Sequence, residues 1–413
     1  MIGSRGPRLV VAAGAAAVLT ACGTAGATPV VHRGEVLPVQ AGTLTADDVA
    51  EAQTRFGTDL LHAVCERAPD RNVLLSPTSA AEALGLLHPA AGGQTAEAFR
   101  AVLHLPEWSA DLVAAMRDHT QALDGLRYEG NLDDENAPDS LQMSNRLWAA
   151  AGVEPDPGYL DSIATAFGAE VQALDFAGDP AGATDRINTT VAEDTHGVIE
   201  KLLGDPLDPE TVAVLTNALH LQARWAVPFT GTRPAPFAAP SGEVTVEMMG
   251  GATGDGRSAD GWRSVELPYR DGTLSAVAVL PPEGTDPCTI EATTLDELQA
   301  AGAEAVGVEL PRLRIEQSHQ LLEVLATMGL PVEGDYSALG RDDLAISRVV
   351  QQTFLDVDEA GTEAAAATAV VVEEAAGIAP SAVVAFDRPF LLVLTDTATR
   401  SPLFTAVVRD PSA

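Results

Sequence analysis

The segment from Asp356 to Val372, D-V-D-E-A-G-T-E-A-A-A-A-T-A-V-V-V, carries conflicting local instructions. Its alanine run, Ala364 to Ala367, favours helix, whereas Val370 to Val372 favours strand. Read as extended chain, it divides by parity. Thr362, Ala364, Ala366, Thr368, Val370 and Val372 share one face; Glu363, Ala365, Ala367, Ala369, Val371 and Glu373 share the other. The first face is small, uncharged and free of proline. Nothing on it resists burial, so the segment suits an exposed loop in one state and a central strand in another. The plainer reading is an Ala-rich surface loop.

The surrounding residues sharpen the choice. Glu359, Gly361, Thr362, Glu363, Ala364, Ala365, Ala366 and Ala367, running on to Thr368, closely resemble the hinge of the reactive loop in inhibitory serpins. Further motifs follow the same family order from near Ala46 to Pro411. Asn72 to Ser79 reads as a short apolar strand with Ser76 or Pro77 opening a helix; it resembles the segment under the place where the family's main sheet opens. Gly92 to Glu97 resembles the turn G-x-T-A-E-Q, with Thr95 a candidate cap. Ile187 to Val191 and Thr195 to Ile199 resemble I-N-x-W-V and T-x-G-K-I, with Thr190 in place of tryptophan and Val198 in place of lysine. Thr211 to Phe229 reads as a buried strand and resembles N-A-x-x-F-x-G-x-W-x-x-P-F, with Ala223 for glycine. Leu310 to Ile315 resembles the strand L-P-K-F-K-I. Phe386 to Leu391 and Leu403 to Val408 resemble the two closing strands.

What the resemblance implies is an α+β serpin fold: a large central mixed β-sheet, two further sheets, about eight or nine helices and an exposed reactive loop at about 359–385. It places Ser76, Ser79 and Asn217 in a hydrogen-bonded shutter and Trp225 at the breach, where an inserting loop first enters the sheet. Gln351 stands where many animal serpins have histidine, and its amide both donates and accepts. The implied activity is suicide inhibition of a serine protease through a covalent acyl-enzyme, with no catalysis by the inhibitor and no cofactor. Family spacing from Gly361 puts the scissile bond at Ala375–Ala376; counting back from Pro389 gives Ile378–Ala379, and cleavage after Glu374 is a minor option. A small residue before the bond suits elastase-like or subtilisin-like pockets, and Glu373 with Glu374 argues against a trypsin-like target. A serpin-fold binding or storage protein without inhibition is the alternative.

Composition narrows the partners. The 413 residues carry a formal net charge of −35, which disfavours nucleic acid and anionic membrane surfaces. The helix expected at 111–126 mixes Asp111, Asp118 and Asp124 with Arg117 and Arg127, so no glycosaminoglycan site is expected. Lys201 is the only lysine, a bias that fits a GC-rich bacterial genome. No nucleophile elbow, H-E-x-x-H, paired C-x-x-C or phosphate loop occurs, which leaves an exported hydrolase without support. The protein is expected to be a monomer.

The N-terminus reads as a targeting segment. Arg5 and Arg8 precede the apolar run Leu9 to Leu19, which is too short to span a bilayer, and Leu19-Thr20-Ala21-Cys22 resembles a lipoprotein cleavage box. This gives a signal peptide over 1–21, a lipidated Cys22, a flexible tether over 22–45 and a single domain over 46–411. An ordinary secretory signal ending near a cysteine is the alternative. The expected place is the outer face of a bacterial membrane, held only by the lipid. Cys65 and Cys288 then form either a disulfide or two buried thiols.

Overall fold

The computed structural model describes residues 29–132, 134, 136–340, 345–362 and 382–413. Within them lie eight α-helices. The first four are α1 (Ala46–Arg67), α2 (Pro77–Gly85), α3 (Gly93–Val102) and α4 (Ala110–Asp124). The others are α5 (Pro157–Phe167), α6 (Pro180–Asp194), α7 (Ala292–Ala300) and α8 (Leu322–Thr327). The strands begin with β1 (Val30–His32), β2 (Val73–Leu75), β3 (Ser140–Ala150), β4 (Val171–Leu174), β5 (Ala213–Arg224) and β6 (Gly231–Ala239). Next come β7 (Gly242–Ala259), β8 (Trp262–Pro268), β9 (Leu274–Leu280), β10 (Glu304–Pro311) and β11 (Leu313–Gln320). The chain closes with β12 (Ile346–Val357), β13 (Gly361–Thr362), β14 (Val383–Ala385), β15 (Phe390–Asp396) and β16 (Pro402–Val408).

The main sheet has seven strands in the order β1-β4-β3-β5-β13-β12-β11. Its centre is the long buried run of β5, every residue of which from Ala213 to Ala223 is buried, as a strand covered on both faces must be. The remaining strands form a nine-stranded sheet, β14-β10-β7-β8-β9-β15-β16-β2, with β6 also paired to β7. The two further sheets expected from sequence are joined through β7. Its first part pairs with β6 and β10, and its last residues, Asp255 to Ala259, pair with β8.

Local chemistry sets the helix starts. Thr45 and Asp48 form a reciprocal capping box on α1. Ser76 caps α2 by accepting from the Ser79 amide, with Pro77 in the first turn. Thr95 does not cap α3 as expected. Gly92 is the N-cap, and the Thr95 hydroxyl instead accepts from the Asp335 amide at 3.0 Å. The segment Leu310 to Ile315, expected as one strand, breaks at Arg312 and feeds two different sheets as β10 and β11.

Within the span expected as a flexible tether, 22–45, the described residues are bound to the domain. From Val30 the chain lies on the body. β1 pairs antiparallel with β4, and the amides of Glu35 and Leu37 bond to Asp161 and Thr165 on α5 at 2.7 and 2.9 Å. Asp111 on α4 receives the amides of Thr43 and Leu44. Residues 1–28, including Cys22, lie outside the described residues. Cys65 and Cys288 form a disulfide that ties α1 to the turn before α7. Among the described residues no helix is long and apolar enough to cross a membrane, and no group of three or more His, Cys, Asp or Glu is placed to hold a metal.

Candidate functional site

The site is the seam between β5 and β12. These strands pair in parallel from Ala213 and Ile346 up to Leu219 and Thr353. Above that level they part, and β13 occupies the gap. Thr362 pairs antiparallel with Val357 on one side and Ala223 on the other, and Gly361 pairs with Arg224. The offset that sets Asn217 opposite Gln351 also sets Ala223 level with Val357. A strand entering the seam can therefore bond to both walls without a slip.

A tight reversal at 358–361 delivers β13 into the gap. The Asp358 carboxylate accepts the amides of Ala360 and Gly361 at 2.7 and 3.1 Å. Glycine is required at 361 because a Cβ there would sit 2.0 Å from the Ala223 carbonyl oxygen. Glu359 takes both Nε and Nη2 of Arg312 at 2.7–3.1 Å and also the Thr232 hydroxyl. Partial burial works to raise the Glu359 carboxyl, but these bonds outweigh it and hold the group below the usual carboxylate range. Burial raises Asp358.

Trp225 sits under this reversal, at the expected breach. Its indole N–H donates to the Asp358 carbonyl at 2.9 Å, its amide donates to Ala360, and its ring stacks on Tyr269 with centroids 4.5 Å apart. The Tyr269 hydroxyl lies 2.5 Å from the Thr362 hydroxyl. Burial pushes the Tyr269 phenol far above its ordinary range, so it stays neutral. Thr362 is 1% exposed.

Lower in the seam the side chains proposed for the shutter meet. Gln351 Nε2 donates to Asn217 Oδ1 at 2.5 Å, across the join of β5 and β12, and to the Ser76 carbonyl at 2.9 Å; Gln351 Oε1 accepts the Ser76 amide at 3.0 Å. Asn217 donates to the Ser79 hydroxyl and, at 2.7 Å, to Asn145 on β3. Ser79 donates to Asn145 at 2.7 Å.

Sequence reading missed how far this network runs. Asn145 Nδ2 donates to Glu82 at 3.0 Å, and Glu82 lies 3.6 Å from the ring of His119, whose other nitrogen is 2.7 Å from the Ser401 hydroxyl. Asn145 had a usable signal, an amide on the strand face that otherwise carries Leu141, Met143, Leu147 and Ala149. Glu82, His119, Tyr269 and Arg312 had none, because only the tertiary fold brings them to the seam. Of the expected hinge, Glu359, Gly361 and Thr362 are described. Glu363, Ala364, Ala365, Ala366, Ala367 and Thr368, with both candidate bonds, Ala375–Ala376 and Ile378–Ala379, lie outside the described residues.

Comparison with known proteins agrees with this geometry. The family model described as serpin (serine protease inhibitor) matches residues 51–411. An uncharacterized serpin-like protein of Thermococcus kodakarensis is 34% identical, covering 83% of this chain and 81% of that one. The leukocyte elastase inhibitor of Bos taurus is 31% identical, covering 88% and 100%. Among solved structures, the thermophilic serpin tengpin in its native state superposes with a TM-score of 0.79 at 24% identity, covering 92% and 97%. Human thyroxine-binding globulin, complexed with thyroxine, gives 0.75 at 25%, covering 89% and 99%. With its family model matched along nearly the whole domain, the chain belongs to the serpin family.

Proposed function

We propose that this serpin inhibits an elastase-like or subtilisin-like serine protease as a suicide substrate, from the outer face of a cell membrane to which Cys22 anchors it. The observation that carries the reading is β13. The first hinge residues, Gly361 and Thr362, already stand between β5 and β12 as the start of a further strand. Carrying their register on, Thr368 comes level with Asn217 and with Gln351. Its hydroxyl would then replace the one side-chain hydrogen bond that spans the seam there, which must break as the walls separate.

The chemistry follows. The protease serine oxygen attacks the carbonyl carbon of Ala375, and the bond to Ala376 breaks. The Ala376 nitrogen takes up a proton and leaves with the C-terminal piece, and an ester joins inhibitor to protease. The chain beyond Thr362, as far as Val372, then inserts, exchanging water for ladder hydrogen bonds worth about 1 kcal/mol each. Ten or so residues thus release an amount comparable to the stability of a protease fold, about 5–15 kcal/mol. The acyl-linked enzyme is dragged and distorted before water completes hydrolysis. The disulfide supports an oxidising, exported setting.

Incubation with elastase, subtilisin, chymotrypsin and trypsin, followed by denaturing gels and mass measurement of the released peptide, tests this reading. A covalent band with elastase or subtilisin is expected, with release of a peptide beginning at Ala376. Loop cutting by all four with no covalent band returns the binding-or-storage alternative.

A further inference from the structure

The arm formed by residues 30–44 lies on the body in a way its own residues specify. β1 pairs with β4 at the edge of the main sheet. Gly34 then passes so close to α5 that a Cβ there would sit 2.2 Å from the Leu160 carbonyl group, an approach only glycine permits. Beyond it the amides of Glu35 and Leu37 bond to Asp161 and Thr165, and Arg117 Nη1 donates to the Val39 carbonyl at 3.1 Å. Val39 and Leu44 pack against the apolar cluster that holds Leu112, Val113 and Met116 of α4. The point at which the chain leaves the body towards Cys22 is therefore fixed at Val30.

Strand directions say which end of the sheet that is. β3 is antiparallel to β5, β4 is parallel to β3, and β1 is antiparallel to β4. β1 thus runs with β5, towards the end where β13 enters, and the chain before Val30 comes from the opposite end. The register makes the level definite. Val30 pairs with Ala173, Ala173 with Ala149, and Ala149 with Ala213. Thr362 pairs with Ala223 on the antiparallel β5, so a residue ten further along an inserting loop, Val372, comes level with Ala213. The end of the inserted strand and the exit of the tether thus share one level, four strand spacings or about 19 Å apart across the sheet.

That level is close to the membrane if Cys22 is lipidated. Val30 is eight residues after Cys22, a reach of at most about 28 Å. Repulsion between a chain of net charge −35 and an anionic leaflet favours the smallest area of approach, which is end-on. A protease domain of about 250 residues is about 45 Å across, so one carried to this end meets the bilayer. We infer that the docked arm orients the anchored inhibitor: it turns the end that receives the inserted strand towards the bilayer, holds the reactive loop on the far side, and so sets the trapped protease against the membrane. The inference rests on the lipid-anchor and insertion readings above.

Energy transfer to a rhodamine-labelled lipid tests it with the full lipidated chain in vesicles of phosphatidylcholine and phosphatidylglycerol. A donor dye is placed at exposed Glu210, just before β5, or at exposed Ala226, just after it, each changed to cysteine. The dye at 210 should lie nearer the lipid by about 33 Å, the rise of the ten residues from Ala213 to Ala223. Fifteen Gly and Ser residues inserted after Gly26 should abolish that difference with the arm still docked, and Gly34→Val should abolish it by lifting the arm off α5. Subtilisin carrying the donor should transfer energy to the lipid once trapped, and less so on the insertion variant. Dyes at 210 and 226 equally near the lipid, or trapped subtilisin that transfers no energy, overturn the inference. Flotation with the vesicles and the covalent band separate the levels. A chain that does not float refutes the lipid anchor, and a missing covalent band refutes the insertion reading; either takes this inference with it. A chain that floats and traps subtilisin without the expected transfer refutes this inference alone.

Discussion

His88 is 2% exposed, stacked on Phe99 at 5.7 Å and edge-on to Trp108 at 5.1 Å, and among the described residues neither ring nitrogen has a hydrogen-bond partner. Burial first, and then the charge of Arg100, lowers its pKa from 6.5 to about 4. Burial first, and then His196, lowers His220 likewise to about 4. Between those values the unfolded chain binds protons that the native one refuses. The stability these rings contribute is therefore complete above pH 6.5 and is lost as pH falls towards 4, by up to about 3 kcal/mol for each. His88→Phe should leave the Tm nearly unchanged at pH 8 and raise it clearly above wild type at pH 5, as thermal melts at the two values would read. In the seam, Gln351→Leu leaves Asn217 Oδ1 and the Ser76 amide without the Gln351 partner, while the Ser76 carbonyl keeps the Ala80 amide. It should cost the intact protein about 1–3 kcal/mol. The cut form should lose less, because insertion removes the Gln351–Asn217 contact anyway; paired melts of intact and cut variant check this.

At the scale of the element, the hinge sets the sharpest test. Thr362 is already enclosed against Tyr269, so Thr362→Arg should hold the loop out of the sheet. The variant should be cut by elastase or subtilisin at a normal rate yet leave no covalent band on a gel. Thr368→Val keeps the volume but removes the hydroxyl expected between Asn217 and Gln351. It should reduce the free energy gained on cutting by about 1–3 kcal/mol, seen as a smaller rise in Tm. These elements were legible in sequence because their information is local. Parity puts Thr362 on the face fit for burial, a mostly apolar run marks β5, and Ser76-Pro77 marks the start of α2. Thr95 misled for the opposite reason: a threonine near a helix start resembles a cap until a distant amide, that of Asp335, claims its hydroxyl. The docking of Val30 to Leu44 was illegible too, since polar and apolar residues alternate there without a period, and the partners on β4, α4 and α5 are supplied only by the fold.

Across the whole molecule, metastability predicts one ordering: the cut protein must melt above the intact one. The disulfide should matter to both forms. Cys65→Ser with Cys288→Ser removes a link across 223 residues and should cost about 2–4 kcal/mol, visible as a lower Tm without loss of the covalent band. That same link has a consequence for what holds a cut molecule together. Both of its cysteines lie upstream of the loop, so no covalent tie reaches the C-terminal fragment once the loop is severed. That fragment stays in place because β15 is sandwiched between β9 and β16, and β16 is backed by β2. In native buffer the two pieces should co-elute as one particle, and in detergent they should come apart without any added thiol.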